Sequence, residues 1–255
     1  MTRRRFIADI WTPTTASLTG DQATHLARVL RATPGQIYDI VANGFLHRAE
    51  ITAVSAGSNE KETRVDFLLH EELSSDAALP LHLLLAVFKF DHMEWAIEKA
   101  TELGIARITP ILARRTEKHL AQSSAKRAER WRRIALEASK QSRRTDIPEI
   151  AEPIPLKQAL EIEKSPTRIL LSETEQTTTL TAALENSRPG TDIITHAIAI
   201  GPEGGWTPEE MSLFTHHEWQ PVTLGPRILR AETAAIAAIA IASTHLTSRS
   251  QSQRT

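Results

Sequence analysis

Two glycine- and proline-bearing bends near the C-terminal end hold the residues best suited to chemistry. Residues 197–210 read AIAIGPEGGWTPEE, and residues 222–243 read VTLGPRILRAETAAIAAIAIAS. Each passes from a short apolar run through a Gly/Pro elbow into a helix-forming stretch. In the first, Gly201, Gly204 and Gly205 leave backbone N–H and C=O groups uncovered where a strand ends, the edge of an α/β sheet at which ligands sit. The spacing in GPEGG is not that of G-x-G-x-x-G, and no Lys-Ser/Thr follows, which disfavours a dinucleotide or a triphosphate. The Glu203 carboxylate repels phosphate further and suits a cationic ligand, such as the sulfonium of S-adenosylmethionine. In the second bend, Leu224, Gly225, Ile228 and Leu229 lead to Arg230 and Glu232. A guanidinium is a fixed fork of donors, able to orient and stabilise oxygens that carry negative charge. Glu232 either accepts a proton or complements the dipole of the following helix. A third ligand edge is predicted where the strand 168–171 ends at Leu171, Ser172 and Glu173. The chain has no cysteine, which removes thiolate metal sites and Cys nucleophiles, and the chemistry outlined needs no metal.

The elements that position these bends are legible as alternating strands and helices. Thr207, Pro208 and Glu210 form the signature of a capped helix start. Residues 81–88 make a continuous apolar run typical of a strand buried on both faces. A helix capped by Asp91 and Glu94 follows, stopped by Gly104, and a strand returns at 108–112, which together predict a right-handed β-α-β unit. Lys89 sits where the first of these strands meets its helix. Ser124 is read as opening a long basic helix that presents Arg130, Arg133, Gln141 and Arg144. TDIPEIAEPIP then runs extended, and 156–163 forms a short helix.

The first 73 residues have a different rhythm. Residues 6–11 predict a strand, Thr19 and Gln22 cap a helix over 21–31, and Asn43-Gly44 joins strands at 36–42 and 45–55. A further strand is predicted at 64–69. Several short strands around one small helix suggest a small barrel or sandwich. Arg4, Arg5, His25, Arg28 and Arg31 recur through it as candidate RNA contacts. SSDAALP, residues 74–80, is read as the linker to an α/β domain over 81–246, and residues 247–255 as a disordered tail.

Net charge is −1, but between Arg114 and Arg144 eleven Lys/Arg face three Glu, a local +8 that leaves −9 elsewhere. Such segregation is the footprint of a polyanion-binding face, and equally that of a solvated basic helix. The absence of a signal-peptide core or a bilayer-length apolar run predicts a soluble, cytoplasmic protein.

GPEGGWTPEE and LGPRILRAETA resemble the two signature loops of the RsmE family of SPOUT methyltransferases, which modify N3 of a uridine in 16S rRNA of the small ribosomal subunit. The resemblance extends through RRRF at 3–6, HLARVLR at 25–31, EKATELG at 98–104 and EASKQSRR at 137–144. Trp206 replaces the commoner Phe, and Ala231 the commoner Thr. The resemblance implies a PUA-like RNA-binding β-barrel at 1–73 and a SPOUT α/β domain with a trefoil knot in its parallel sheet. It also implies S-adenosyl-L-methionine as cofactor, 16S rRNA as substrate, and a homodimer built on the last helix. An alternative of another class stands beside it: a non-catalytic rRNA-binding assembly protein whose elbows serve only the fold.

Overall fold

The computed structural model describes residues 5–57, 62–74, 78–187 and 195–252. They fall into two units, Met1–Ala77 with Ser139–Asp146, and Ala78–Ala138 with Ile147–Thr255. In the first, strands β1 (Arg5–Ile7), β2 (Ile10–Trp11), β3 (Thr15–Thr19), β4 (Ile37–Ala42), β5 (Phe45–Ser55) and β6 (Arg64–Leu73) form one sheet. Their order is β1-β4-β5-β6-β3-β2, parallel only between β1 and β4. Asn43 and Gly44 both take positive φ, 52° and 80°, so that Ala42 pairs with Phe45 across a two-residue turn. Leu18, Ile40, Ile51, Val65 and Phe67 bury their side chains against Ala23 and Leu26 of the helical segment.

Three details depart from the sequence reading of this unit. The single strand at 6–11 is broken, because the Asp9 carboxylate turns to accept the Thr19 N–H at 2.8 Å and its hydroxyl at 3.2 Å. Thr19 therefore does not cap, and Gln22 donates instead to the Ile7 carbonyl at 3.0 Å. The helix over 21–31 is α1 (Gly20–Thr24) running into a π turn, His25–Val29, and the positive φ of Arg31, 51°, ends it. The segment Ser139–Asp146 joins this unit from far along the chain: Arg5 Nη1 donates to the Arg143 carbonyl at 2.5 Å.

The second unit is an α/β fold on a seven-stranded sheet, every pairing of which is parallel. In chain order it contains β7 (Leu79–Ala86), α2 (Phe90–Glu102), β8 (Ile105–Leu112), α3 (Lys118–Ser142), β9 (Glu149–Ile150), β10 (Ile154–Pro155) and α4 (Leu156–Ile162). There follow β11 (Thr167–Leu171), α5 (Leu180–Glu185), β12 (His196–Ile200), α6 (Pro208–His216), β13 (Gln220–Val222) and α7 (Ala231–Ser252). The strand order is β10-β8-β7-β12-β11-β13, with β9 beside β8. Both faces are covered. Leu81, Leu83 and Leu85 pack with Met93, Ile97, Trp131 and Ile239, while Leu84, Ala197 and Ala199 pack with Leu160, Phe214 and Trp219. This two-sided burial is why β7 reads as a leucine-rich run, interrupted by His82, rather than as an alternation.

Several boundaries differ from those predicted. β7 begins at Leu79, inside the proposed linker, and α7 continues to Ser252, past the residue at which the tail was placed. α3 starts at Lys118; Ser124 is 1% exposed inside it, its hydroxyl donating to the Ala121 carbonyl. α2 starts at Phe90, so Asp91 lies inside its first turn instead of capping it, Glu94 is engaged by Arg130, and Lys89 stands at the helix start with no side-chain cap. β9 and β10 lie in the stretch read as extended without being read as strands, and α5 has no counterpart in the sequence reading. Among the described residues no helix is long and apolar enough to cross a membrane.

Candidate functional site

β12, β11 and β13 lie side by side, and the loops leaving their C-terminal ends line one cavity of about 500 Å³. β11 contributes Leu171 and Ser172; the elbow after β12 contributes Gly201, Glu203 and Gly204; the loop after β13 contributes Leu224, Gly225, Ile228, Leu229 and Arg230. These three segments are far apart in sequence and meet because parallel neighbours must end on the same side of the sheet. Backbone ties join the segments that follow β11 and β13. Ser172 N–H donates to the Val222 carbonyl at 3.0 Å, and Thr223 N–H to the Thr178 carbonyl at 2.9 Å.

Local chemistry shapes each wall. Gly201 is packed closely: a Cβ there would lie 3.1 Å from the Trp206 indole, which would have to shift by a few tenths of an ångström. Gly225 is required by conformation: its φ is 117°, and the space a Cβ would enter is empty. Glu210 is 3% exposed and completes the capping box of α6, accepting the Thr207 N–H at 2.8 Å through Oε2. Its other oxygen accepts the Arg114 N–H at 2.8 Å. In the loop after β11, the Thr177 hydroxyl and the N–H groups of Thr178 and Thr177 converge on Glu175 and lower its carboxyl to about 2. Sequence reasoning missed Arg115, Trp206 and Arg227, which also line the cavity. Trp206 and Arg227 lie inside the loops already singled out; nothing local marks Arg115.

Residues 75–243 match the family described as RNA methyltransferase domain. Ribosomal RNA small subunit methyltransferase E of Synechocystis sp. is 36% identical over 89% of this chain and 72% of its own length. That of Bacillus subtilis is 31% identical over 88% of each. The chain belongs to the ribosomal RNA small subunit methyltransferase E family. A crystal structure of a family member from Neisseria gonorrhoeae, bound to S-adenosyl methionine, superposes with a TM-score of 0.76 at 30% identity, covering 95% of this chain and 98% of that one.

In this methyltransferase Arg230 is exposed at the cavity, and its carbonyl accepts the Ala234 N–H at 2.8 Å as α7 begins. Glu232 is not among the lining residues. It is 4% exposed, with Oε1 3.4 Å from His92 Nδ1 on α2 and Oε2 without a hydrogen-bond partner. The candidate RNA contacts divide by what already holds them. His25, Arg31, Lys89, Arg133 and Gln141 are exposed. Arg28 is exposed but donates to the Gly57 carbonyl at 2.6 Å, and Arg5 is tied to Arg143. Arg130 is committed to Glu94 through two bonds of 2.6 and 2.8 Å, and Arg144 to Asp146. Arg4 lies outside the described residues. Among those described, no three His, Asp or Glu side chains cluster as metal ligands would.

Proposed function

We propose that the cavity at the ends of β12, β11 and β13 holds S-adenosyl-L-methionine and that the enzyme methylates N3 of a uridine in 16S rRNA of the small ribosomal subunit. The convergence of the three strand-end loops on one space carries this reading. Its volume falls in the range of roughly 300–1,000 Å³ usual for small-ligand pockets. Leu171, Leu224, Ile228 and Leu229 offer an apolar bed, Glu173 and Glu203 offer negative charge to a sulfonium, and Gly225 leaves backbone open to approach. A family member at 30% identity is known with the same ligand.

The bound cofactor supplies the methyl group; the chain must present a lone pair to it. N3 of uridine has one only after its imide proton leaves. Arg230 is suited to orient the uracil oxygens and to stabilise the negative charge that develops on them. Glu203, exposed in the elbow, is the carboxylate placed to take the proton directly or through water. Glu232 acts from behind, as a buried first-turn carboxylate that fixes the start of α7 and with it Arg230. We further infer that α7 and its preceding loop thread an earlier loop as a SPOUT trefoil knot, that α7 forms a homodimer interface, and that the first unit is a PUA-like RNA-binding module of a cytoplasmic enzyme. The exposed Lys89, Arg133, His25, Arg28, Arg31 and Gln141 are the proposed RNA contacts. Labelled S-adenosylmethionine incubated with undermethylated small subunits, followed by mapping of the modified base, tests the assignment. A labelled N3-methyluridine is the expected product, and label on a ribose or on another base would refute the N3 target.

A further inference from the structure

Arg115 lines the cavity without belonging to any of the three strand-end loops or to the helices that follow them. It follows β8, in the stretch that leads into the basic helix α3, yet its Nη1 donates to the Gly204 carbonyl at 2.5 Å. Its aliphatic stem lies on the same glycine, so that a Cβ at Gly204 would come within 3.3 Å of Arg115 Cδ. The adjacent Arg114 N–H binds Glu210 Oε1, whose partner oxygen holds Thr207. Two hydrogen bonds thereby join the glycine elbow and the helix start that follows it to the segment leading into α3.

Charge decides what Arg115 is free to bind. On α3 the guanidinium groups of Arg130 and Arg132 are taken up by Glu94 and Glu152. Arg115 is exposed and, among the described residues, makes no ion pair. One of its five N–H groups is committed to Gly204, and the rest suffice for a two-pronged contact with a phosphate. Arg114 and Lys118, also exposed, continue the positive run. The elbow itself cannot receive an anion on its backbone, because it carries the exposed Glu203 and is followed by Glu209. The Glu209 carboxyl is kept below its usual range by its own backbone N–H and the Thr207 hydroxyl, with Arg114 and Arg115 adding to the effect.

We propose that Arg115 binds a phosphate of the RNA strand that delivers the target base and, through Gly204, transmits that contact to the wall of the cofactor cavity. The inference rests on the methyl-donor reading of the cavity. One side chain then reaches both the RNA and the wall of the cofactor cavity, and any change that one ligand makes in the other's affinity is returned by the same factor.

The test measures labelled S-adenosylhomocysteine, which cannot transfer a methyl group, by equilibrium dialysis with wild type, Arg115→Ala and Arg115→Lys, alone and with saturating undermethylated small subunits. In wild type the subunits should tighten binding about fivefold or more. In Arg115→Ala the tightening, read as the ratio of that variant's own affinities with and without subunits, should vanish. Its KM for subunits should rise about tenfold, with a shallower salt dependence, as loss of one phosphate contact requires. Arg115→Lys should restore the salt dependence without the tightening, because one ammonium lacks the fork to hold both partners. An Arg115→Ala enzyme that keeps both the tightening and the wild-type salt dependence overturns the proposal while leaving the cavity assignment intact. Failure of wild type to bind S-adenosylhomocysteine overturns both.

Discussion

Arg230 and Trp206 show how differently two neighbours of one cavity can matter. Arg230 is exposed and has no packing role, so its replacement should spare the fold and remove charge stabilisation at the acceptor base. Arg230→Ala is expected to lower single-turnover methyl transfer by about 10²–10³-fold, as for loss of one oxyanion donor, with cofactor affinity by calorimetry within about threefold. Trp206 packs edge-on against Phe214 at 4.8 Å, and its Nε1 is buried without a partner. Trp206→Phe therefore forfeits no hydrogen bond, and its unfolding free energy should change by no more than about 1 kcal/mol, as urea denaturation would record. At this scale the sequence was most informative where the chain bends. Gly201, Gly204, Gly225 and the residues around them could be picked out because Gly and Pro mark strand ends locally. Arg115 could not, since its partner Gly204 is 89 residues away and only the fold brings them together. The basic run from 114 to 144 was visible as charge, but the carboxylates that occupy Arg130, Arg132 and Arg144 come from α2, from the chain after β9 and from the loop after α3, which charge counting does not see.

At the scale of elements, α4 is tied to the sheet by a buried polar chain. Glu163, just after α4, receives His82 Nδ1 of β7 at 2.5 Å, and His82 Nε2 meets the Thr109 hydroxyl of β8 at 2.8 Å. Burial alone would raise the Glu163 carboxyl; the hydrogen bond and charge of His82, with the Ser165 N–H, outweigh it and lower the group to about 2. Because this folded value lies below the 4.5 usual for a glutamate, the stabilisation is complete above pH 4.5 and is lost as pH falls toward 2. Glu163→Gln, which leaves His82 facing a neutral partner, should cost about 3 kcal/mol near neutrality and flatten that acid limb, as urea unfolding between pH 2 and 7 would show. The helix cap at Thr207, the Asn43-Gly44 turn and the Gly104 stop were legible because each is set within four residues. The two-residue strands β9 and β10 were not, being defined by pairing with β8 rather than by any pattern of their own. The start of α3 was misplaced for a related reason: Ser124 has the side chain of a cap but sits in the helix interior, bonded to its own preceding turn.

For the whole molecule, the sequence supported two units and placed the change of rhythm near residue 75, yet the first unit is completed by Ser139–Asp146 from the end of α3. No composition shift marks that segment, because its membership depends on tertiary contacts such as Arg5 with the Arg143 carbonyl. The second unit was legible as a parallel α/β sheet from alternating apolar runs and helices, whereas the strand order that sets β12, β11 and β13 side by side was not. That order is what turns three separate bends into one cavity. The central claim is therefore that this cavity binds the methyl donor, and calorimetric titration of S-adenosylmethionine into wild type and Gly225→Val tests it most directly. A side chain at Gly225 would enter the open space and strain a φ of 117° at a cost of about 1–3 kcal/mol, too little to unfold a domain of this size. The account predicts one molecule bound per wild-type chain and no measurable binding to a folded Gly225→Val variant; equal affinity in the two proteins would contradict it.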